Sequence, residues 1–288
     1  MGEFGPRGWG AALFCLAIAA CSVNGGEGSH DAGTGGSTGA TGGTGGTTGG
    51  PPIVLDAGGV APGTVRMVVP AYWDPDQQWQ RIIAAAPTVG MIIFNPDNGP
   101  GTVTKAGYAA AIAQAQAAGI YVLGYVSTQY GARAEGDIDA DVNGYYQLYS
   151  PSGIYFAEGP TAATCDTLQA EYQRLTALAQ SHDPNAYLAI GTRFCPTFIT
   201  FSDLMVEFAE TYSTYQDYSS PAWMPGNSPE RFCHFVSEVP DANASQVLSR
   251  AIGLGAGWVF TTDGTAPNPG GALPSYFDQE LAALRKLQ

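Results

Sequence analysis

The stretch GMIIFNPDNGPGTVTKAGYAAAIAQAQAAG, residues 90–119, contains one complete structural unit of this chain. A short apolar run at 90–95 predicts a buried strand, and the Asn, Pro and Gly residues after it predict a turn. The alanine-rich segment 104–118 predicts a helix. A strand that is apolar along its whole length is typical of a parallel sheet covered on both faces. This unit therefore favours an α/β fold.

The same order of strand, turn and helix recurs along the chain. The strand candidates are residues 65–70, 90–95, 120–127, 153–158, 186–192, 203–210, 232–236 and 257–262. The predicted helices are 75–86, 104–118, 135–149, 164–181, 242–254 and 274–287, with weaker helices after the fifth and sixth strands. Eight such units predict a closed (β/α)8 barrel, the TIM barrel. The alternative is a doubly wound open sheet, which would need a Gly-rich nucleotide turn where residues 69–73 read VPAYW.

Composition narrows the choice of partners. The 288 residues include 11 basic and 25 acidic side chains, a formal net charge of −14, and 45% of the residues are hydrophobic. Such a chain can bury a core, and its charge disfavours nucleic acid and anionic membrane surfaces. We expect no cofactor and no metal, because phosphate-binding loops, serine elbows and HExxH are absent. His30, His182 and His234 have no zinc-ligand spacing.

Residues 1–21 resemble an export signal. Arg7 precedes an apolar run at 9–20 that is too short to span a bilayer, and LAIAAC at 16–21 resembles a bacterial lipobox ending in Cys21. The alternative is an ordinary signal peptide with Cys21 removed or unmodified. Residues 22–51 are rich in Gly and Thr and predict a disordered linker. We therefore expect a barrel domain at 52–288 that is exported and either lipid-anchored at the outer membrane or cell surface, or secreted.

Three cysteines remain in the predicted domain. In an oxidising compartment one disulfide is expected, and Cys165 with Cys195 is favoured because both follow predicted strands on what should be the same face. Cys233 and His234 are interpreted as part of a buried strand rather than as a catalytic pair.

Aromatic, amide and charged residues follow several predicted strands. In a (β/α)8 barrel, catalytic and binding residues lie on the loops at the carboxyl ends of the strands. Flat rings, amides and carboxylates in that place are suited to a sugar. The candidate substrate-binding residues are Tyr72, Trp73, Asn95, Asn98, Tyr125, Tyr130 and Arg133. The alternative roles are packing for the rings, turn formation for the two asparagines, and pairing of Arg133 with Asp137 or Asp139.

Four motifs on these loops resemble the spherulin-4-like family. They are NPDNGPG at 95–101, GYVSTQYGAR at 124–133, GIYFAE at 153–158, and the segment from TTD at 261–263 to LPSY at 273–276. The resemblance covers nearly all of residues 65–287 in order. It implies a (β/α)8 glycoside hydrolase, similar to endo-α-1,4-polygalactosaminidases, that cleaves galactosamine-containing exopolysaccharide. Such a polymer is partly cationic when deacetylated, which suits an acidic protein.

The resemblance also implies the acids of the site. The family has an Asp-Glu pair after the fourth strand and a Glu after the sixth. Glu158 matches the Glu of the pair, whereas Ala157 occupies the Asp position and Ala209 stands where an ungapped register expects the second Glu.

Hydrolysis by the usual route needs a second carboxyl group near Glu158. Glu210 is the favoured partner. Glu207, expected on the face of Ala209 by the period of two, and Asp263, after the eighth strand, are substitute candidates. One hypothesis is a monomeric glycosidase with Glu158 as general acid/base and Glu210 as second carboxylate. The other is a relative that binds polysaccharide without cleaving it.

Overall fold

The structure, a computed structural model, describes residues 65–286. Eight parallel strands form a closed barrel in which each strand pairs with the next and the last pairs with the first. The strands are β1 (Arg66–Ala71), β2 (Val89–Phe94), β3 (Tyr121–Ser127), β4 (Gly153–Ala157), β5 (Tyr187–Ile190), β6 (Leu204–Thr211), β7 (Phe232–Ser237) and β8 (Trp258–Thr261). The predicted (β/α)8 barrel is confirmed, and each strand lies within two residues of its predicted bounds.

Helices connect the strands on the outside of the barrel. They are α1 (Gln77–Ala84), α2 (Tyr108–Ala117), α3 (Glu135–Leu148), α4 (Cys165–His182), α5 (Tyr212–Tyr215), α6 (Ala244–Gly253) and α7 (Phe277–Leu284). The weak helices expected after the fifth and sixth strands are a 3-10 helix at Pro196–Thr200 and the single turn of α5. None of the helices in residues 65–286 has the length and apolar character that a bilayer crossing requires. The predicted signal at 1–21 with Cys21, and the linker at 22–51, lie outside the described residues.

Two glycines allow close packing around β3 and β4. A Cβ atom at Gly124 would lie 2.6 Å from the ring of Tyr145 on α3, and one at Gly153 would lie 1.9 Å from the carbonyl oxygen of Tyr187 on β5. Both distances are shorter than van der Waals contact, so a larger residue would displace the helix or the neighbouring strand. These strands position the candidate site.

Five aromatic rings fill the barrel interior near the carboxyl ends of the strands. Tyr72 contacts Tyr125, Tyr125 contacts Tyr155, Tyr155 contacts Phe235, and Phe235 contacts Phe260, with ring centroids 5.4 to 6.4 Å apart. Tyr155 belongs to β4 and Phe235 to β7, which do not pair with each other, so their contact crosses the interior. We call these five rings the aromatic floor.

The structure joins Cys165 and Cys195 in a disulfide, which is the pair favoured from the sequence. The bond ties the start of α4 to the loop after β5. Cys233 is a buried free thiol, and His234 beside it is also fully buried. The interpretation of this pair as part of a buried strand is confirmed.

Glu207 lies at an irregularity in β6. The register against β7 shifts between Val206 and Phe208, so Glu207 has no pairing partner. Its buried carboxylate accepts hydrogen bonds from the Tyr218 hydroxyl and from His234 Nε2, both at 2.9 Å. These partners pack against Phe208. Glu207 is therefore held in a buried polar cluster next to Phe208.

This placement corrects the expectation for Glu207. Regular alternation would put it on the face of Ala209, but the shifted register breaks the alternation between them. Ala209 pairs with Phe235 of the aromatic floor, whereas Glu207 points to Tyr218 and His234. Glu207 is thus a structural residue of this fold and does not supply an acid to the barrel mouth.

We expect Glu207→Gln to lower the free energy of unfolding by about 1–3 kcal/mol, because the amide presents an NH2 donor in place of one of the two oxygens that accept from Tyr218 and His234. Urea titration measures the change. The control is Glu230→Gln, an exposed glutamate just before β7, which should leave the midpoint unchanged. Equal stability of the two variants would contradict the structural role.

Glu280 is a second buried acid. Thr261 Oγ1 donates a hydrogen bond to Glu280 Oε1, while Glu280 Oε2 has no partner among the described residues. Burial raises the pKa of Glu280 from its ordinary 4.5 to about 8, so the folded protein holds it protonated at neutral pH.

A raised pKa in the folded state makes the protein less stable as pH rises from 4.5 to about 8. Each pH unit in this window removes up to about 1.4 kcal/mol of unfolding free energy. Glu280→Gln should lack this loss and become progressively more stable than wild type toward pH 8. Asp278→Asn, an exposed acid on the same helix, is the control and should keep the wild-type slope. Parallel pH profiles for Glu280→Gln and wild type would refute this assignment.

Candidate active site

Glu158 directly follows β4 at the carboxyl end of the barrel. Ser127, the last residue of β3, pairs with Ala157 in the sheet and donates a hydrogen bond from Oγ to Glu158 Oε2 at 2.5 Å. The Glu158 side chain is half-buried. Since Ser127 is fixed by its strand, this hydrogen bond holds the carboxylate at the barrel mouth.

The Glu158 backbone is in the left-handed region, with φ of 55°. A non-glycine residue in this region costs about 1–2 kcal/mol and is kept only where surrounding contacts impose it. Its carbonyl oxygen accepts hydrogen bonds from Tyr130 N at 2.6 Å and from Thr128 Oγ1 at 2.8 Å. The loop after β3 thus holds the conformation that turns Glu158 toward Ser127.

Three tyrosines of the aromatic floor lie near Glu158. Burial raises the pKa values of Tyr72, Tyr125 and Tyr155 above the ordinary value of 10, and the negative charge of Glu158 adds to each shift. The three phenols therefore stay neutral at physiological pH. A neutral phenol can donate a hydrogen bond to a ligand oxygen while its ring packs against an apolar face.

Glu210 lies near the end of β6 and is exposed. Glu210 is in register with Val236 of β7, and Val236 is in register with Thr261 of β8. Because Thr261 donates a hydrogen bond to Glu280 on α7, this row of three residues faces the helices. At the rim, Glu210 also borders a small cavity beside Phe235. The structure thus brings Glu210 to the same end of the barrel as Glu158, but in an outward-facing row.

The inward-facing positions next to the two glutamates carry methyl groups. Ala209 is in register with Phe235 of the aromatic floor. Ala157 lies two residues after Tyr155 and so shares its face of β4. The barrel mouth therefore lacks a carboxylate at both of these positions.

Asp263 follows β8 and is exposed. Its carboxylate accepts hydrogen bonds from Ser275 N at 3.3 and 3.4 Å. This contact ties the loop after β8 to the segment before α7, so the structure shows a turn-stabilising role for Asp263.

Three of the predicted binding residues make local contacts in turns. Asn95 Oδ1 accepts a hydrogen bond from Gly99 N at 2.7 Å, and Asn98 is exposed with a left-handed φ of 52°. Trp73 Nε1 donates to Asp76 Oδ1 at 3.1 Å, and the same Oδ1 caps the start of α1. These contacts fit the alternative roles in turns and packing.

Arg133 and Tyr130 follow β3. Arg133 forms a salt bridge with Asp141 at 2.7 Å and donates to the carbonyl oxygen of Ser127 at 3.0 Å. The expected ion pair therefore exists, with Asp141 in place of Asp137 or Asp139. Tyr130 is 39% exposed on the loop that contacts Glu158, which leaves its ring accessible beside the candidate acid.

Ser127 and Tyr155 were not among the predicted site residues. Alternation along the fourth strand could have identified Tyr155, because it lies two residues before Ala157. Ser127 was within one of the family motifs, but its hydrogen bond to Glu158 depends on the register between β3 and β4. That register is not readable from the sequence of either strand alone.

A groove of about 990 Å³ lies at the opposite, amino-terminal end of the barrel. Its walls include Tyr121 at the start of β3, and Tyr146 and His182, whose rings stack. Active sites of this fold lie at the other end, so the groove is separate from the candidate site. Within residues 65–286, no cluster of three or more His, Cys, Asp or Glu residues is arranged to bind a metal ion.

Comparisons with known proteins agree with this fold. Spherulin-4 of Physarum polycephalum is 27% identical over 237 residues, which cover 77% of this chain and 71% of that protein. The crystal structure of Aspergillus clavatus Sph3 in complex with GalNAc has a TM-score of 0.63 at 20% identity, covering 76% of this chain and 97% of Sph3. An endo-beta-N-acetylglucosaminidase from Cordyceps militaris, in apo form, has a TM-score of 0.50 at 11% identity, covering 83% and 92% of the two chains.

The family model of spherulation-specific family 4 matches residues 66–284, which include all eight strands and all seven helices named above. A match over this span covers far more than half of the chain. The protein is therefore a member of the spherulin-4 family, spherulation-specific family 4.

Proposed function

We propose that this protein is a glycoside hydrolase that cleaves galactosamine-containing polysaccharide, with Glu158 as general acid/base. The observation that carries the proposal is the placement of Glu158 at the carboxyl end of β4, held by Ser127 above three neutral tyrosines. A positioned carboxyl group near flat rings that carry hydroxyl donors is suited to protonating a glycosidic oxygen.

The chemistry follows from the hydrogen bond of Glu158. Ser127 occupies Oε2, so we assign the transferred proton to Oε1. Glu158 gives this proton to the glycosidic oxygen as the bond to the anomeric carbon breaks. A second carboxylate then supports the positive charge at that carbon. Glu210, the partner favoured from the sequence, is at this end of the barrel but lies in a row that faces the helices, so the proposal does not depend on it.

Two observations support the substrate class. Sph3, which shares this fold, was crystallised with GalNAc bound, and the present chain has a net charge of −14. A partly deacetylated galactosamine polymer is cationic, so it would be attracted to an acidic surface.

A binding-only role is the second candidate. It is favoured by the methyl groups of Ala157 and Ala209 at the two inward-facing positions where the family resemblance implies acids. With no second acid in reach, Glu158 alone would leave the protein able to hold the polysaccharide but not to cleave it.

Glu158→Gln separates the two roles. For a hydrolase, we expect this change to lower kcat by at least about 10³-fold while polymer affinity stays within a few-fold, because the amide keeps the shape but cannot donate the acid proton. The measurement is release of reducing ends from a galactosamine-containing polysaccharide, with polymer binding measured in parallel. The control is Glu230→Gln at the other end of β7. Polymer binding without any release by wild type would favour the binding-only role.

We also propose that the protein is exported and lipid-anchored through Cys21. The support is the lipobox-like LAIAAC at 16–21 and the Gly/Thr-rich segment after it. The exported form is expected to begin at Cys21 and to carry the mass of acyl chains, as measured by mass spectrometry. A mature form with unmodified Cys21, or one that lacks it, would instead indicate secretion after an ordinary signal peptide.

A further inference from the structure

Glu238 follows β7 in the same way that Glu158 follows β4. We propose that Glu238, rather than Glu210, is the second catalytic carboxylate and acts on the anomeric carbon opposite Glu158. This inference rests on the proposed hydrolase function. It is carried by the backbone, the strand positions and the surroundings of Glu238.

The backbones of the two glutamates match. Glu238 has φ of 58°, against 55° for Glu158, so both are left-handed glutamates directly after a strand. Few non-glycine residues adopt this conformation without a surrounding structure that imposes it. In Glu158 the conformation turns the side chain away from regular alternation and toward the mouth, where it contacts Ser127. The same φ at Glu238 gives its side chain the same departure from alternation.

The hydrogen bonds around the two residues also match. After β4, Gly159 N donates to Gly191 O and Gly191 N donates to Phe156 O, each at 2.9 Å. After β7, Val239 N donates to Thr262 O at 2.9 Å and Thr262 N donates to Val236 O at 3.0 Å. In each case, the first residue after the next strand, Gly191 or Thr262, makes both hydrogen bonds. Its carbonyl oxygen accepts from the residue that follows the glutamate, and its N–H donates to the residue two positions before the glutamate. Glu158 and Glu238 therefore occupy equivalent positions on β4 and β7.

These equivalent positions face each other across the barrel. Tyr155 and Phe235, each three residues before its glutamate, contact each other through the interior with ring centroids 6.2 Å apart. The strands that carry them, β4 and β7, therefore bring Glu158 and Glu238 to one rim from different sides of the barrel. The residues just before the two glutamates, Ala157 and Ser237, have small side chains.

The surroundings of Glu238 suit a carboxylate that reacts. Its side chain is exposed and has no hydrogen bond or salt bridge with any residue in the described range 65–286, while its backbone N donates to the Gly264 carbonyl oxygen at 3.1 Å. By contrast, Glu207 is bonded to Tyr218 and His234, and Asp263 is bonded to Ser275. Glu210 stays in regular β geometry within β6, in the row that faces the helices. Of these acids, only Glu238 combines a left-handed turn with a free carboxylate.

The proposed step conserves atoms and charge. Glu158 gives its proton to the glycosidic oxygen, and the electron pair of the broken bond stays on that oxygen. A Glu238 carboxylate oxygen forms a bond to the anomeric carbon. Glu158 then removes a proton from water, the water oxygen bonds to the same carbon, and the bond to Glu238 breaks. The enzyme returns to its starting state, and the sugar carries the new hydroxyl.

The test uses the full chain and α-1,4-linked galactosamine oligosaccharides, both acetylated and partly deacetylated. We expect Glu238→Gln to lower kcat by at least about 10³-fold with KM within about threefold of wild type, while Glu210→Gln and the control Glu230→Gln retain most of the activity. We also expect azide to restore release by Glu238→Ala by at least tenfold. Azide would then bond to the anomeric carbon as Glu158 protonates the departing oxygen, giving a glycosyl azide that mass spectrometry detects.

Thermal melts show whether each variant is folded, and Glu238→Asp provides a second variant that keeps the carboxylate. Activity of Glu238→Gln above about one tenth of wild type would overturn the assignment to Glu238 and leave the proposed function intact. Loss of activity in Glu210→Gln with full activity in Glu238→Gln would also overturn the assignment to Glu238, and it would identify Glu210 as the second carboxylate. An inactive wild type on both oligosaccharides would overturn the proposed function and this inference together.

Discussion

Closure of the parallel barrel, through the pairing of β1 with β8, is the constraint on which the rest of this structure depends. Closure satisfies the backbone hydrogen bonds of both edges and turns every second side chain into one shared interior. It also brings the carboxyl ends of all eight strands to one rim. Residues that are far apart in the chain, such as Tyr72 and Phe260, thereby become parts of one aromatic floor.

At this rim, the positions of the acids depend on departures from regular strand geometry. Glu158 and Glu238 leave their strands through a left-handed residue, and each departure is supported by the same backbone hydrogen bonds to the next strand. The shifted register in β6 has the opposite effect on Glu207, which becomes bonded to Tyr218 and His234. The irregularity in β6 therefore buries one acid, while left-handed turns place two others at the rim directly after β4 and β7.

The strand and helix order, the Cys165–Cys195 disulfide and the place of Glu158 could all be predicted from the amino-acid sequence, because apolar runs and family motifs are local patterns. The side on which Glu207 lies could not, because a bulge forms where two strands adjust their register and not where one strand has a particular composition. The role proposed for Glu238 could not be predicted from the sequence for a related reason. The residue belongs to none of the four family motifs, and its likeness to Glu158 lies in φ and hydrogen bonding.

The amino-acid sequence by itself determined the eight repeated units, the acidic charge and the family, because hydrophobic periodicity and residue identity are properties of short segments. Only the tertiary structure decided which acids are accessible at the rim, which are hydrogen-bonded elsewhere, and which strands contact each other through the interior. Those relations depend on register, on backbone dihedral angles and on closure of the barrel. Each of these joins residues that no local pattern connects.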